Sequence, residues 1–92
     1  MTEAHLDALL AVAEAAADDE GWRHPSQGRT MTLHLAHDGA GLSISRVAAL
    51  RLEHGLLQVR TAQGEWYVVA LADLYAGSVE APKEGGRKAG FV

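Results

Sequence analysis

Apolar residues recur along this chain at two different spacings, and the change between them divides it. From Thr2 to about Asp19, Leu6, Leu9, Leu10, Ala13, Ala16 and Ala17 return at three- and four-residue steps. That spacing predicts an amphipathic helix over residues 2–19. Thr2 is placed to cap it, and Glu3 lies in the first turn, where the helix dipole favours a negative charge. Alanine fills much of the remaining surface, so the helix is strong in propensity but thin in side chain. Gly21 to Arg29, with Pro25 and Gly28, reads as a connecting loop, and Trp22 is expected to anchor it by burying its ring.

From Thr30 the period becomes two. Met31, Leu33 and Leu35 alternate with Thr32, His34 and Ala36 up to Asp38-Gly39, a strong two-residue hairpin signal. A turn there opposes Leu35 to Leu42, Leu33 to Ile44 and Met31 to Arg46. A turn at His54-Gly55 opposes Leu52 to Leu57 and Leu50 to Val59. A third at Gln63-Gly64 opposes Thr61 to Trp66, Val59 to Val68 and Leu57 to Ala70. These registers agree on one inner face: Met31, Leu33, Leu35, Leu42, Ile44, Leu50, Leu52, Leu57, Val59, Trp66 and Val68. A slip of one residue would turn any strand inside out, so the agreement has force.

The expected fold is therefore α+β. The N-terminal amphipathic helix is followed by a strongly curled antiparallel meander, small and open-barrel-like. It has four strands, about 30–37, 42–53, 56–62 and 65–71, or five if Ser78–Glu80 adds an edge. The long strand 42–53 is shared by two hairpins and should bend near Arg46. Residues 1–80 form one compact domain, and 81–92, rich in Gly and Lys, form a flexible tail.

Composition narrows the function. The 92 residues contain no cysteine, which excludes disulfides, thiolate metal sites and a cysteine nucleophile. Apolar runs fall short of the about 18–20 residues of a membrane span, and no signal peptide opens the chain; the expectation is a cytoplasmic protein with no membrane contact. The net charge of -4 is uneven: residues 1–20 hold six carboxylates and no Lys or Arg. Such a helix could meet a basic protein partner, while whole-surface nucleic-acid binding is disfavoured.

Candidate chemistry is thin. His34 and His37 are three apart, which on a strand separates them onto opposite faces. Ser43, Ser45, His34 and Asp38 lie close together in the expected register, but no nucleophile elbow accompanies them. Asp38-Gly39-Ala40-Gly41 joins two strands and so lacks the helix N-terminus of a phosphate cradle. No catalytic, cofactor or metal residue is assigned, and the chain is not expected to be an enzyme.

The outer sheet face is more informative. Leu56, Tyr67, Val69 and Leu71 fall together there, and one thin helix can cover only one face. Either the helix takes this outer patch while the barrel closes over the inner face, or a partner chain takes it; a homo-oligomer, dimer or higher, is expected. The alternative is single-stranded nucleic-acid binding through Arg46, Arg51, Arg60 and Tyr67.

A helix, a strand carrying Leu33 and Leu35 into Asp38-Gly39, a long bent strand and two further strands form an order that resembles Sm-like proteins over about residues 3–80. The resemblance implies a barrel-like sheet, ring assembly and RNA binding. It rests on element order, and no RNA-binding motif of that family is matched; fold analogy alone carries no function.

Overall fold

The computed structural model describes residues 1–81, so the tail expected over 81–92 lies, apart from Ala81, outside the described residues. Helix α1 spans Glu3–Val12 and begins as its sequence predicts. Thr2 Oγ1 accepts the His5 N–H at 3.2 Å, and His5 Nδ1 accepts the Thr2 N–H at 3.4 Å. This reciprocal box satisfies two amide donors that the first turn leaves over. The helix ends well before Asp19. Ala13 closes it, and Glu14 adopts a left-handed φ of 52°. Ala16–Ala17 then forms a short strand, β1, paired with Arg23–His24, β2. The alanine spacing predicted a longer helix because alanine suits both faces. Ala16 and Ala17 have almost nothing to bury, and their backbone is used in a hairpin instead.

The remaining strands are β3 (Thr30–His37), β4 (Ala40–Ile44), β5 (Val47–Glu53), β6 (Leu56–Thr61), β7 (Trp66–Ala70) and β8 (Leu74–Glu80). A single 3-10 turn, Leu71–Asp73, separates the last two. They form two antiparallel sheets: a long one in the order β1-β2-β5-β6-β7 and a short one in the order β4-β3-β8. This corrects the expected four- or five-strand, strongly curled barrel. The described residues form eight strands, and the sheets are neither closed nor strongly curled. The bend expected near Arg46 is a break. Arg46 takes a φ of 54°, and the chain leaves the short sheet at Ile44 to enter the long one at Val47. Met31 consequently faces Val79 of β8 and not Arg46.

Two hairpin registers match the pattern. Asp38 and Gly39 both take positive φ (49° and 84°), with Leu35 opposite Leu42 and Leu33 opposite Ile44. His54 and Gly55 do the same (54° and 77°), with Leu52 opposite Leu57 and Leu50 opposite Val59. The third differs by one residue. Only Gly64 has positive φ, and Thr61 N–H bonds the Glu65 carbonyl at 2.9 Å. The loop is thus Ala62-Gln63-Gly64, a three-residue connection with glycine at the left-handed place. Val59 faces Tyr67 and Leu57 faces Val69, so β7 is inverted relative to the expected register. Tyr67 and Val69 pack against the core, whereas Trp66 and Val68 are 63% and 64% exposed.

The core fills the space between the sheets. Leu6 and Leu10 of α1, with Ala13 at its end, join Met31, Leu33, Leu35, Ile44, Leu50, Leu57, Val59, Leu71 and Leu74. The helix approaches β8 closely: a Cβ on Gly77 would collide with the Leu9 methyl Cδ2, and the N-terminal ammonium donates to the Leu74 carbonyl at 2.7 Å. Helix and short sheet together cover the inner face of the long sheet. Its outer face remains open.

The register of β7 is directly testable by urea denaturation. Val69→Glu should cost about 2 kcal/mol or more, because it drives a charge into the core, whereas Val68→Glu should stay within about 0.5 kcal/mol. The opposite order would restore the two-residue turn at Gln63-Gly64.

Candidate interaction surface

The outer face is assembled by a turn, a short strand and two long ones. Between β1 and β2 the chain reverses through Asp18 to Trp22. Asp18 Oδ1 accepts the N–H groups of Glu20 (2.9 Å) and Trp22 (3.0 Å), and Gly21 takes a φ of 85°. An aspartate accepting from the backbone two residues on is the usual organiser of such a turn. Asp18 Oδ2 is also 2.9 Å from His24 Nε2. The bond with His24 holds the Asp18 carboxyl below the usual carboxylate range, and the Glu20 and Trp22 N–H groups act in the same direction. Asp18, expected within the helix, is therefore a turn residue, and its carboxylate fixes Trp22.

Trp22 and Ala49 are buried, yet neither belongs to the central core. Around Trp22 the long sheet contributes two guanidinium groups. Arg51 lies 4.8 Å and Arg60 4.5 Å from the centre of the Trp22 ring, and Arg60 is also 5.5 Å from Trp66. The two indoles meet edge to face at 5.6 Å. Contacts of a cation with an indole contribute about 0.5–2 kcal/mol each, more where water is displaced. Arg51 is further held by Gln58 Oε1, which accepts from Nη2 at 2.8 Å and Nε at 3.2 Å. Among the described residues neither arginine forms an ion pair with a carboxylate, and Arg60 Nε is enclosed without an acceptor.

Beside this cluster lies apolar surface. Leu56 is opposite Ala70, Gln58 opposite Val68 and Arg60 opposite Trp66. Leu56, Val68 and Trp66 consequently share one face, and all three are exposed. β7 is also the terminal strand of the long sheet, so one edge of this surface carries unpaired backbone groups.

The residues singled out from sequence are divided by this arrangement. Leu56 lies on the open face as expected. Tyr67 and Val69 face inward, and Leu71 is buried just beyond β7, so these three are removed from the expected contact. Arg51 and Arg60 are brought together, but Tyr67 is on the other side of the sheet. Arg46 stands apart at the sheet switch, lining a separate cleft with Pro25, Ser26 and Ala62. Trp22 buries its ring as expected, but its place on this face was missed, as were Trp66 and Val68. The signal that could have found the last two is Gln63, a residue that takes positive φ far less readily than Asp38 or His54.

Elsewhere, His34 Nδ1 is 3.0 Å from Ser43 Oγ, and no carboxylate among the described residues is paired with that ring. His37 lies between Asp73 (2.9 Å) and Asp38 (3.3 Å), at a cleft of about 310 Å³ between β4 and β7. The described residues contain no group of three or more His, Cys, Asp or Glu placed to hold a metal ion. No helix among them is long and apolar enough to cross a membrane. Compared with known proteins, the chain matches no family model, no curated protein and no solved structure.

The Asp18 turn predicts a pH dependence. Its folded pKa lies below the unfolded one, so the carboxylate stabilises the fold above the ordinary carboxylate range. That contribution is lost as pH falls through the folded value. Asp18→Asn keeps an oxygen acceptor for the turn but removes the charge. Wild type should therefore lose more stability than Asp18→Asn between about pH 5 and about pH 2, measured by urea midpoints. Equal losses would show that the carboxylate charge contributes nothing.

Proposed function

We propose that this chain is a non-enzymatic protein-interaction module that self-associates, with its contact centred on Trp66, Val68 and Leu56. The observation that carries the reading is the placement of these three apolar side chains on a sheet face that the helix does not reach. In a chain of 9.8 kDa, large apolar side chains gathered on one face are typical of a surface covered by a partner. The neighbouring Trp22–Arg60–Trp66 cluster adds to it. Tryptophan and arginine supply much of the binding energy at interface centres, and cations already stacked on indoles lose little side-chain freedom on binding.

A second reading, single-stranded nucleic-acid binding, is favoured by one feature. Arg51 and Arg60 sit beside the exposed Trp66 without carboxylate partners, which combines phosphate-binding charge with a stacking surface. Filter binding of an oligonucleotide at two salt concentrations tests it. Retention at low salt that falls as salt rises supports this reading, and no retention at low salt removes it.

Light scattering at micromolar protein tests the leading reading. The expected mass rises above 9.8 kDa with concentration, and Val68→Glu lowers it to the monomer value. A wild-type mass that stays at the monomer across the range overturns self-association.

A further inference from the structure

Resting on the self-association reading, we infer that the open face of the long sheet is covered by helix α1 of a second copy, in a head-to-tail contact. The chain contains both halves of a complementary pair. On the sheet side, Arg51 and Arg60 form no ion pair among the described residues. Glu53 and Glu65 lie toward opposite ends of the same region and pair with neither. Trp66, Val68 and Leu56 supply the apolar ground around these cations.

On the helix side, residues 1–20 carry six carboxylates and no Lys or Arg. Two of them, Glu14 and Asp18, are engaged by Arg29 and His24. Glu3 and Asp7 are exposed, one turn apart on one flank of α1, and form no ion pair among the described residues. Between that flank and Val12, which is 59% exposed, runs a row of exposed alanines: Ala4, Ala8 and Ala11. A helix with such a face can approach a flat surface closely, and Trp66 projects from the sheet to meet it.

Size agrees as well. A ten-residue helix is about 15 Å long, and the five residues of β7 span about 17 Å. Arg51 and Arg60 gain carboxylate partners, and Glu3 and Asp7 gain cations, which neither side has among the described residues of its own copy. Because the two surfaces differ, each copy still offers one of each after pairing. Such contacts extend into rings or open chains and do not stop at a two-fold dimer.

The arrangement is tested by mixing two variants, each defective on one side. Glu3→Lys with Asp7→Lys disables the helix side, and Val68→Glu disables the sheet side. Far-UV circular dichroism confirms that both fold, and Arg51→Glu provides a second sheet-side variant should Val68→Glu fail to do so. At a concentration where wild type is associated, each variant alone should be monomeric by light scattering. An equimolar mixture should give a 1:1 dimer, since one copy keeps an intact sheet and the other an intact helix. Raising salt from about 50 mM to about 500 mM should weaken wild-type association about tenfold or more. If wild type associates but the helix variant associates equally well and salt has no effect, the contact is sheet to sheet and this inference is wrong, while self-association stands. If wild type never associates, both fail.

Discussion

Which side chains the long sheet turns outward depends on the register of β7 against β6. A side chain's face alternates along a strand, so one residue more or less in the connecting loop decides which half of β7 meets the core. The loop Ala62-Gln63-Gly64 has three residues, with Gly64 in the left-handed conformation. That places Tyr67 and Val69 in the core and leaves Trp66 and Val68 outside. Both pairs are large and apolar, so hydrophobicity alone does not choose between them. What separates them is the turn: a two-residue hairpin would require positive φ at Gln63, where the chain has no residue suited to it. Buried Thr61 supports the longer loop through its hydroxyl, which accepts the Glu65 N–H at 3.1 Å.

A second constraint explains why the outer face stays open. The chain changes sheets at Arg46, so β4 and β5 belong to different layers although only two residues part them. The two layers face each other, and α1 closes the space left between them with Leu6, Leu10 and Ala13. The apolar face of this ten-residue helix is then used up within its own copy. Nothing else among the described elements crosses the outer side of β6 and β7. On that side, Trp22 is the largest covering group, held there by the Asp18 turn and stacked with Arg51 and Arg60.

Much of this was legible in the sequence, and the misreadings share a cause. The hairpins at Asp38-Gly39 and His54-Gly55 follow from residues that tolerate positive φ, and both registers match. The helix start follows from Thr2, and the surplus of apolar outer surface follows from counting faces. The helix end was not legible, because Ala13, Ala16 and Ala17 fit a helical stripe while only Ala13 is needed by the core. The break at Arg46 was expected as a bend, since periodicity continues across it and carries no information about which sheet each half joins. The identities of the patch residues were lost to the Gln63-Gly64 turn. Leu56 lies on the outer face, Tyr67 and Val69 turn inward and Leu71 is buried, and Trp66 and Val68 take the outer positions. The joining of Trp22 to Arg60 depends on a contact across the sheet between β2 and β5, and no local pattern announces such pairing.

The most direct measurement is the solvent accessibility of Trp66 as protein concentration rises. Trp22 is buried and Trp66 exposed within one copy, so a Trp22→Phe variant isolates the relevant indole. Acrylamide should quench its fluorescence efficiently in dilute solution and progressively less as copies assemble over it. Quenching that stays equally efficient through the concentrations at which association occurs would contradict the account, because the surface proposed to be covered would remain in water.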